Sequence, residues 1–492
     1  MEKMEESNNI KTFSKQNYIP RQPIPTLHET LDRYKKTLIP LLSTEEYNNA
    51  IIAVDEFMKN GIGEILQGPL CMNQYKRQFG VSRIPDFPVD RIITTWPSIA
   101  KHIIVIYKDQ IFKVQVLGER GERVSIDSIK RQLHLLIERV NNYNNNSELQ
   151  PPIGLLTGEH LNLETIDNAL FVVALDDYSV DKDISHHNSF HAFNGRNRWF
   201  DKSIQIILQN NGQAGVNCEH TPSDAVASGL IFNDIVSKCD PPNSTSTSLP
   251  TPQHLNWVID NTINDIIHSA QINIQNAIDN VDIVLLYYHE YGSNWLKSVK
   301  YSPDAFVQMA IQLAYYRQYG EPCATYESAS TRGFLHGRTE TVRSCSIDSL
   351  AFTKDFDDKD IKKEKKIELF TTAIKSHIEY MIAAVNGVDR HLLGLRTQLQ
   401  SDKEKENASL FNDLSYQKSS YYKLSTSNMS LGVKFICGFG AVVPDGYGVC
   451  YMINSDKLRF SISSYKKCKE TDSVIFRKTL IKTLDDLREI LS

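Results

Sequence analysis

The stretch that most restricts how this chain can fold runs from Asn197 to Asp224 and reads NRWFDKSIQIILQNNGQAGVNCEHTPSD. Ser203 to Gln209 is an apolar run of strand length. Asn211-Gly212 is a hairpin-turn pair, because both residues tolerate the positive φ that tight hairpins need. Val216 to Glu219 predicts the returning strand. Thr221-Pro222-Ser223-Asp224 predicts a helix start, with Thr221 as N-cap, Pro222 at the first helical position and Asp224 completing a capping box. His220 is thus expected where a strand stops and a helix begins, a place where a rigid scaffold can hold a reactive side chain. Read alone, the same residues also fit a plain helix cap beside an ordinary junction histidine.

A chain of 492 residues is too long for one simple core and predicts two or more domains. Before the central stretch, Leu27 to Asn60 reads as helices with a cap signal at Ser43, after a loose polar segment at 1–24. Ile103 to Val116 reads as a hairpin turning near Lys108-Asp109, followed by an amphipathic helix capped at Ser125 or Asp127. Phe171 to Leu175 is a short buried strand. The Pro/Ser/Thr-rich residues 240–252 predict a linker. After it come an apolar stripe of helical spacing (Ile259, Ile263, Ile266, Ile267, Ile274) and a helix starting at Ser302-Pro303-Asp304 and stopped by Gly320. Three strands follow, Val433–Cys437, Gly448–Ile453 and Leu458–Tyr465, and a final helix from Thr471 packs Ile475, Leu480, Leu484 and Leu487. Strands interleaved with helices in both halves predict an α/β chain of two layered domains.

A net charge of −5 without a basic, aromatic-interleaved stripe predicts no nucleic-acid partner. No run approaches the ~18 consecutive apolar residues of a membrane helix. The acidic start carries no targeting pattern, so cytoplasm is the default expectation, with mitochondrion and peroxisome left open. Eight scattered cysteines without a CxxC pair predict reduced, mostly buried thiols rather than a zinc ribbon or a disulfide framework.

Several further segments are too particular to be filler: PLCMNQY (69–75), ATYESAS (324–330), GRTETVRS (337–344), DRHLLGLR (389–396), LSTS (424–427) and VVPDGYGVCY (442–451). With NRWFDK and CEHTPSD they resemble, in the same order, the choline/carnitine acyltransferase family over nearly the whole chain. The resemblance implies an α/β fold of two chloramphenicol-acetyltransferase-like domains, each a mixed sheet packed with helices, with a tunnel between them. Its boundaries here would be helices at 25–68 packing with the C-terminal domain, an N-terminal catalytic domain at 69–262 and a C-terminal domain at 263–492.

The implied activity is reversible transfer of a short acyl group, acetyl by expectation, between CoA and the hydroxyl of carnitine in a ternary complex. His220 would be the general base and Asp224 would orient it. Ser427 would be the oxyanion donor, with Ser425 contacting substrate. Tyr326, Thr339 and Arg390 match residues that hold the carnitine carboxylate, an arginine–threonine combination that choline-specific relatives lack. In isolation Arg390 reads as a solvent-facing helix arginine and LSTS as a β-prone structural stretch. Phe439 would face the trimethylammonium group. Lys297 and Asp304 would serve CoA. Cys437 stands where acetyl-preferring members have methionine and longer-chain members glycine. The resemblance implies no metal and no bound cofactor, CoA being a co-substrate, and a monomer.

The chain also departs from the family. Ser293 replaces a frequent second CoA-binding lysine, and Ala225 a usual glycine. GEILQ at 63–67 runs almost directly into PLCMNQY, where the family has a long helical segment, and a shorter gap lies between Gly158 and Leu170. Removing core helices is expected to expose apolar surface in the N-terminal domain. Two alternatives stay open: a catalytically impaired carnitine- or CoA-binding relative, and a choline acyltransferase. Weaker readings are metal binding by His186, His187 and His191 with Cys218, and nucleophilic catalysis by Cys218 on one strand face with His220.

Overall fold

The computed structural model of the protein describes residues 18–67, 100–122, 124–143, 160–179, 195–221, 223–237, 249–257, 259–335, 337–385, 389–399, 401–430 and 435–492. It divides into two units, one Arg83–Val281 and the other Met1–Ser82 with Asp282–Ser492. The division falls after the helix α5 (Asn261–Asn280), not at residue 263. That helix stays with the first of these units, where Ile274 lies against Gly195.

The Arg83–Val281 unit is built on a six-stranded mixed sheet, in the order β5-β4-β3-β1-β2-β6. β1 (His102–Tyr107) and β2 (Gln110–Gln115) form the expected hairpin, with Lys108 and Asp109 both at positive φ, 46° and 66°. That pair of conformations matches the right-handed twist of the strands. β1 runs parallel to β3 (Val172–Asp176), and β3 to β4 (Ile204–Gln209). The apolar run HIIVIY is buried because both faces of β1 are covered. Val105 and Tyr107 pack with Leu136 and Val140 of α3 (Ile126–Tyr143), while Ile104 and Ile106 pack with Ile166, Val172 and Trp199. β4 returns as β5 (Ala214–Cys218) through a loop with Gly212 at φ 79°, and β6 is the short Gln253–His254.

The helix after β5, α4 (Ala225–Ser237), opens at Ala225 rather than Pro222. Asp224 therefore stands immediately before the helix instead of in its first turn. Thr221 directs its backbone N–H and hydroxyl to the Glu219 carboxylate, so it is not the N-cap. Among the described residues of this unit several large apolar side chains are exposed. Ile231 and Ile235 of α4 are 51% and 53% exposed, Leu230 and Val236 are exposed beside them, and so are Ile266 and Ile272 of α5. Of the α5 stripe, Ile267 is buried. Such a surface fits the expected loss of covering helices. Most of the linker, 240–248, lies outside the described residues.

The second unit carries another six-stranded sheet, β7-β12-β11-β10-β8-β9: β7 Val281–Tyr288, β8 Thr325–Ser330, β9 Thr339–Val342, β10 Leu424–Asn428, β11 Tyr447–Ile453 and β12 Leu458–Tyr465. The helix α6 (Pro303–Tyr319) is capped by Ser302 and ends on Gly320 at φ 70°. Every residue from Ala305 to Tyr315 is buried, so this helix is enclosed rather than one-faced. The N-terminal helices α1 (Leu27–Leu38) and α2 (Thr44–Lys59), the latter with a Ser43/Glu46 capping box, share a core with Leu392, Leu395, Leu410 and Phe411. The last helix, α9 (Ser473–Leu491), buries Phe476, Leu480, Leu484 and Leu487, while Ile475 faces solvent. Residues 435–437 are not in a strand, and 433–434 lie outside the described residues.

Candidate active site

Alternation along the strands of the second sheet sorts its residues onto two faces. In β10, Ser425 and Ser427 share one face and Thr426 and Asn428 the other. Ser425 is the Cα partner of Tyr326 in β8 and of Gly448 in β11; Ser427 is that of Cys450; Ser330 is that of Thr339 in β9. One face is therefore lined with hydroxyls: Tyr326, Ser328, Thr339, Ser425 and Ser427. Ser427 is half-buried, and its hydroxyl makes no hydrogen bond among the described residues. The segment carrying Cys437 and Phe439 crosses the same face, where Ser463 donates to the Phe439 carbonyl at 2.8 Å. Only glycine fits beneath it at 448, since a Cβ there would lie 2.5 Å from Ser463 Oγ and 2.9 Å from the Gly440 carbonyl. A hydrogen bond from Cys450 holds the Cys437 thiol below its ordinary range, with the Arg459 charge adding to the effect. The acyl-pocket candidate is thereby placed beside the neighbour of Ser427.

Arg390 sits in the first turn of α8 (Asp389–Thr397). Its Nη2 donates to Thr339 Oγ1 at 2.7 Å, joining two of the three expected carboxylate-binding residues. Its backbone N–H donates to the buried Glu340 carboxylate at 2.8 and 3.0 Å, which anchors the helix start where a negative charge is favoured. The Nε of Arg390 is buried without a partner among the described residues. A donor left in that state favours an incoming anion. Tyr326 is the third member. Its ring packs on Tyr422 (centroids 5.5 Å), and Arg343 lies over Tyr422 at 5.6 Å. Glu340 and Tyr422 were not singled out from the sequence, where each reads as an ordinary strand or loop residue.

The opposite face of β10 meets a buried polar network that the sequence also did not reveal. Gln308 of α6 donates from Nε2 to Thr426 Oγ1 and to Tyr451 Oη, both at 2.9 Å. Asn428 Nδ2 and Tyr451 Oη each donate to Asp304 Oδ1 at 2.7 Å. Tyr451 Oη also lies 3.2 Å from Glu327 Oε1, and Glu327 Oε2 lies 2.7 Å from Nε2 of His377, on α7 (Lys363–Val385). Asp304, a CoA-binding expectation, thus has this oxygen engaged inside the unit, whereas Lys297 is exposed. Asp304, Glu327 and His377 are spaced to hold a metal ion, with ligand atoms within 4.8 Å of one another, but hydrogen bonds already engage them.

Burial, with Asp304 adding, pushes the Glu327 carboxyl up to about 7. Burial opposes charge on His377, but an ionised Glu327, with Asp304 adding, raises that pKa. Glu327 binds its proton more tightly in the folded state, so its contribution to stability is full at acid pH. It is lost as pH rises from 4.5 to about 7. Melting scans between pH ~5 and ~7.5 should therefore show Tm falling as pH rises, with a shallower slope in Glu327→Gln. An unchanged slope in the variant would refute the assignment.

In the other unit, His220 follows β5 at a turn, its side chain 70% exposed, with Nδ1 3.9 Å from Asp224 Oδ1. At the other end of the β3–β4 pair the register sets Asp176 opposite Gln209. Arg198 and Asp176 form a fully buried two-pronged ion pair at 2.9 Å, and Asn197 donates to the same carboxylate. Pairing ends where Glu219 N–H donates to the Ser203 carbonyl at 3.0 Å. Because β5 ends at Cys218, strand alternation does not extend to His220, and the shared-face argument for a Cys218 nucleophile fails. His186, His187 and His191 lie outside the described residues.

Known proteins resemble the chain as follows. It matches the family described as Choline/Carnitine o-acyltransferase over residues 22–70 and 67–482, two pieces that meet at the junction where GEILQ runs into PLCMNQY. It is 32% identical to Carnitine O-acetyltransferase of Rattus norvegicus over 596 residues, covering 97% of this chain and 94% of that protein. It is 32% identical to Choline O-acetyltransferase of Mus musculus over 468 residues, covering 87% and 72%. The 596-residue alignment exceeds the 492 residues of this chain, so the rat protein carries segments without a counterpart here. Among solved structures, the epimerization domain from the third module of tyrocidine synthetase B is similar at a TM-score of 0.35 and 10% identity, covering 65% of this chain and 80% of that one.

Proposed function

The chain belongs to the choline/carnitine O-acyltransferase family, and on that premise we propose that it transfers a short acyl group, acetyl by preference, reversibly between CoA and the hydroxyl of carnitine. Neither a hydroxyl nor a thiol (pKa ~8.5) is appreciably ionised at neutral pH, so the reaction needs a positioned base. His220 takes the hydroxyl proton, and Asp224 orients the imidazole. The carnitine oxygen attacks the thioester carbonyl, and Ser427 donates to the oxyanion only as charge develops there. Collapse of the tetrahedral intermediate breaks the C–S bond, and the His220 imidazolium returns its proton to the CoA thiolate. Acyl transfer is direct, with no acyl-enzyme. Lys297 meets CoA phosphate as a point charge, Asp304 serves the same substrate, and Cys437 limits the acyl pocket.

The observation that carries carnitine over choline is Arg390, bonded to Thr339 and retaining a buried, unpartnered Nε. A guanidinium in that state is matched by a carboxylate, which choline lacks. Tyr326 and Ser425 complete the polar surroundings, and Phe439 offers an aromatic face to the trimethylammonium. Replacing Arg390 with Asn is expected to weaken carnitine use roughly 10- to 150-fold, the value of a charge-assisted hydrogen bond. Choline use should be spared or improved. Measuring kcat/KM for both acceptors on one preparation checks this, and equal losses would return Arg390 to a structural role. The impaired-relative reading rests on the broken family match at 67–70 and the exposed α4 face. Stabilisation by CoA and carnitine without turnover would favour it.

A further inference from the structure

Behind Ser427, Tyr451 Oη lies within hydrogen-bond reach of two carboxylates, Asp304 and Glu327, and of the Gln308 amide. Tyr451 Oη has one hydrogen and two lone pairs. Its one hydrogen can serve only one of the two carboxylates in reach, and the shorter contact, 2.7 Å to Asp304 against 3.2 Å to Glu327, takes it, while one lone pair accepts from Gln308. The remaining contact, 3.2 Å to Glu327 Oε1, is a hydrogen bond only if Glu327 supplies the proton. Glu327 Oε2 then accepts from His377 Nε2–H and from the Ser344 hydroxyl at 3.3 Å. His377 Nδ1 is buried with no partner among the described residues, which suits a neutral imidazole better than a charged one carrying an unmet N–H.

We propose that Glu327 is a protonated, buried positioning residue which, with Tyr451, Gln308 and Asp304, holds strand β10 so that Ser427 presents its hydroxyl to the oxyanion. The two residues flanking Ser427 are tied from behind, Thr426 to Gln308 and Asn428 to Asp304, and Tyr451 joins both ties. Thr426 also donates to the Tyr326 carbonyl at 2.8 Å, fixing β10 against β8. None of these groups touches the hydroxyl-lined face. The titratable groups facing Glu327 are Asp304 from α6, His377 from α7 and Tyr451 from β11. As pH rises and Glu327 ionises, its Oε1 competes with Asp304 for the Tyr451 hydrogen and loosens both ties.

The inference rests on Ser427 acting as the oxyanion donor, and its test separates the two. Tyr451→Phe should lower kcat roughly 10- to 100-fold with KM unchanged, as for a displaced catalytic group. In a Ser427→Ala background the same change should cost no more than about 2-fold, because the group it positions is gone. Glu327→Gln supplies an N–H to Tyr451 and a carbonyl to His377. It should therefore keep kcat at neutral pH and flatten the decline on the alkaline side. Infrared spectra of the full-length protein should show a protonated-carboxyl band missing from Glu327→Gln, a readout independent of activity. Equal losses from Tyr451→Phe in both backgrounds would overturn the inference. So would absence of that band, a stoichiometric metal in the purified protein, or a large kcat loss in Glu327→Gln at neutral pH. Full activity in Ser427→Ala would instead remove the serine's role, and the positioning role with it.

Discussion

Replacing His220 with alanine is expected to lower turnover by roughly 10²–10⁴, the contribution of a positioned general base, while CoA binding is retained. The size follows from the chemistry, since without a proton acceptor the carnitine hydroxyl must attack while still protonated. In the proposed mechanism the Asp224 carboxylate, 3.9 Å from Nδ1, serves to orient the ring and does not replace it. The substitution is structurally mild because the side chain is mostly exposed. Rate measurements with saturating acetyl-CoA and carnitine, alongside calorimetric CoA binding, check it. Near-normal turnover would remove the base from this position.

Ser427→Ala is expected to cut kcat by about 10²–10³, the cost of removing one oxyanion donor, with smaller effects on KM. A donor acting on the developing charge lowers the barrier and leaves the ground state nearly untouched. Loss confined to substrate affinity would make Ser427 a binding residue. Ser425 is its control: it lies on the same face one pair away, opposite Tyr326, and its loss should appear chiefly in KM.

The hairpins were legible because their turns have local chemistry, as at Lys108-Asp109 and around Gly212. The start of α4 was misjudged because Thr-Pro-Ser-Asp satisfies a capping pattern in two registers, and the Glu219 carboxylate took Thr221 out of contention. Most site residues came from motif resemblance rather than from periodicity. Arg390 alone is any helix arginine, and its meaning rests on Thr339 and Glu340, brought to it by the β9–α8 packing. The network behind Ser427 was hidden for a different reason. Asp304, Glu327, His377 and Tyr451 sit on two helices and two strands far apart in the chain, and each has a bland reading as a cap or core residue. Alternation reveals which face a strand residue takes, not which helix will meet it.

The central claim is tested most directly by incubating the purified full chain with acetyl-CoA and either carnitine or choline and following release of the CoA thiol. The account predicts carnitine-dependent release, with kcat/KM for carnitine above that for choline by at least about 10-fold, the worth of one charge-assisted carboxylate bond. Choline as the better acceptor, or a folded protein that releases thiol with neither, would contradict it.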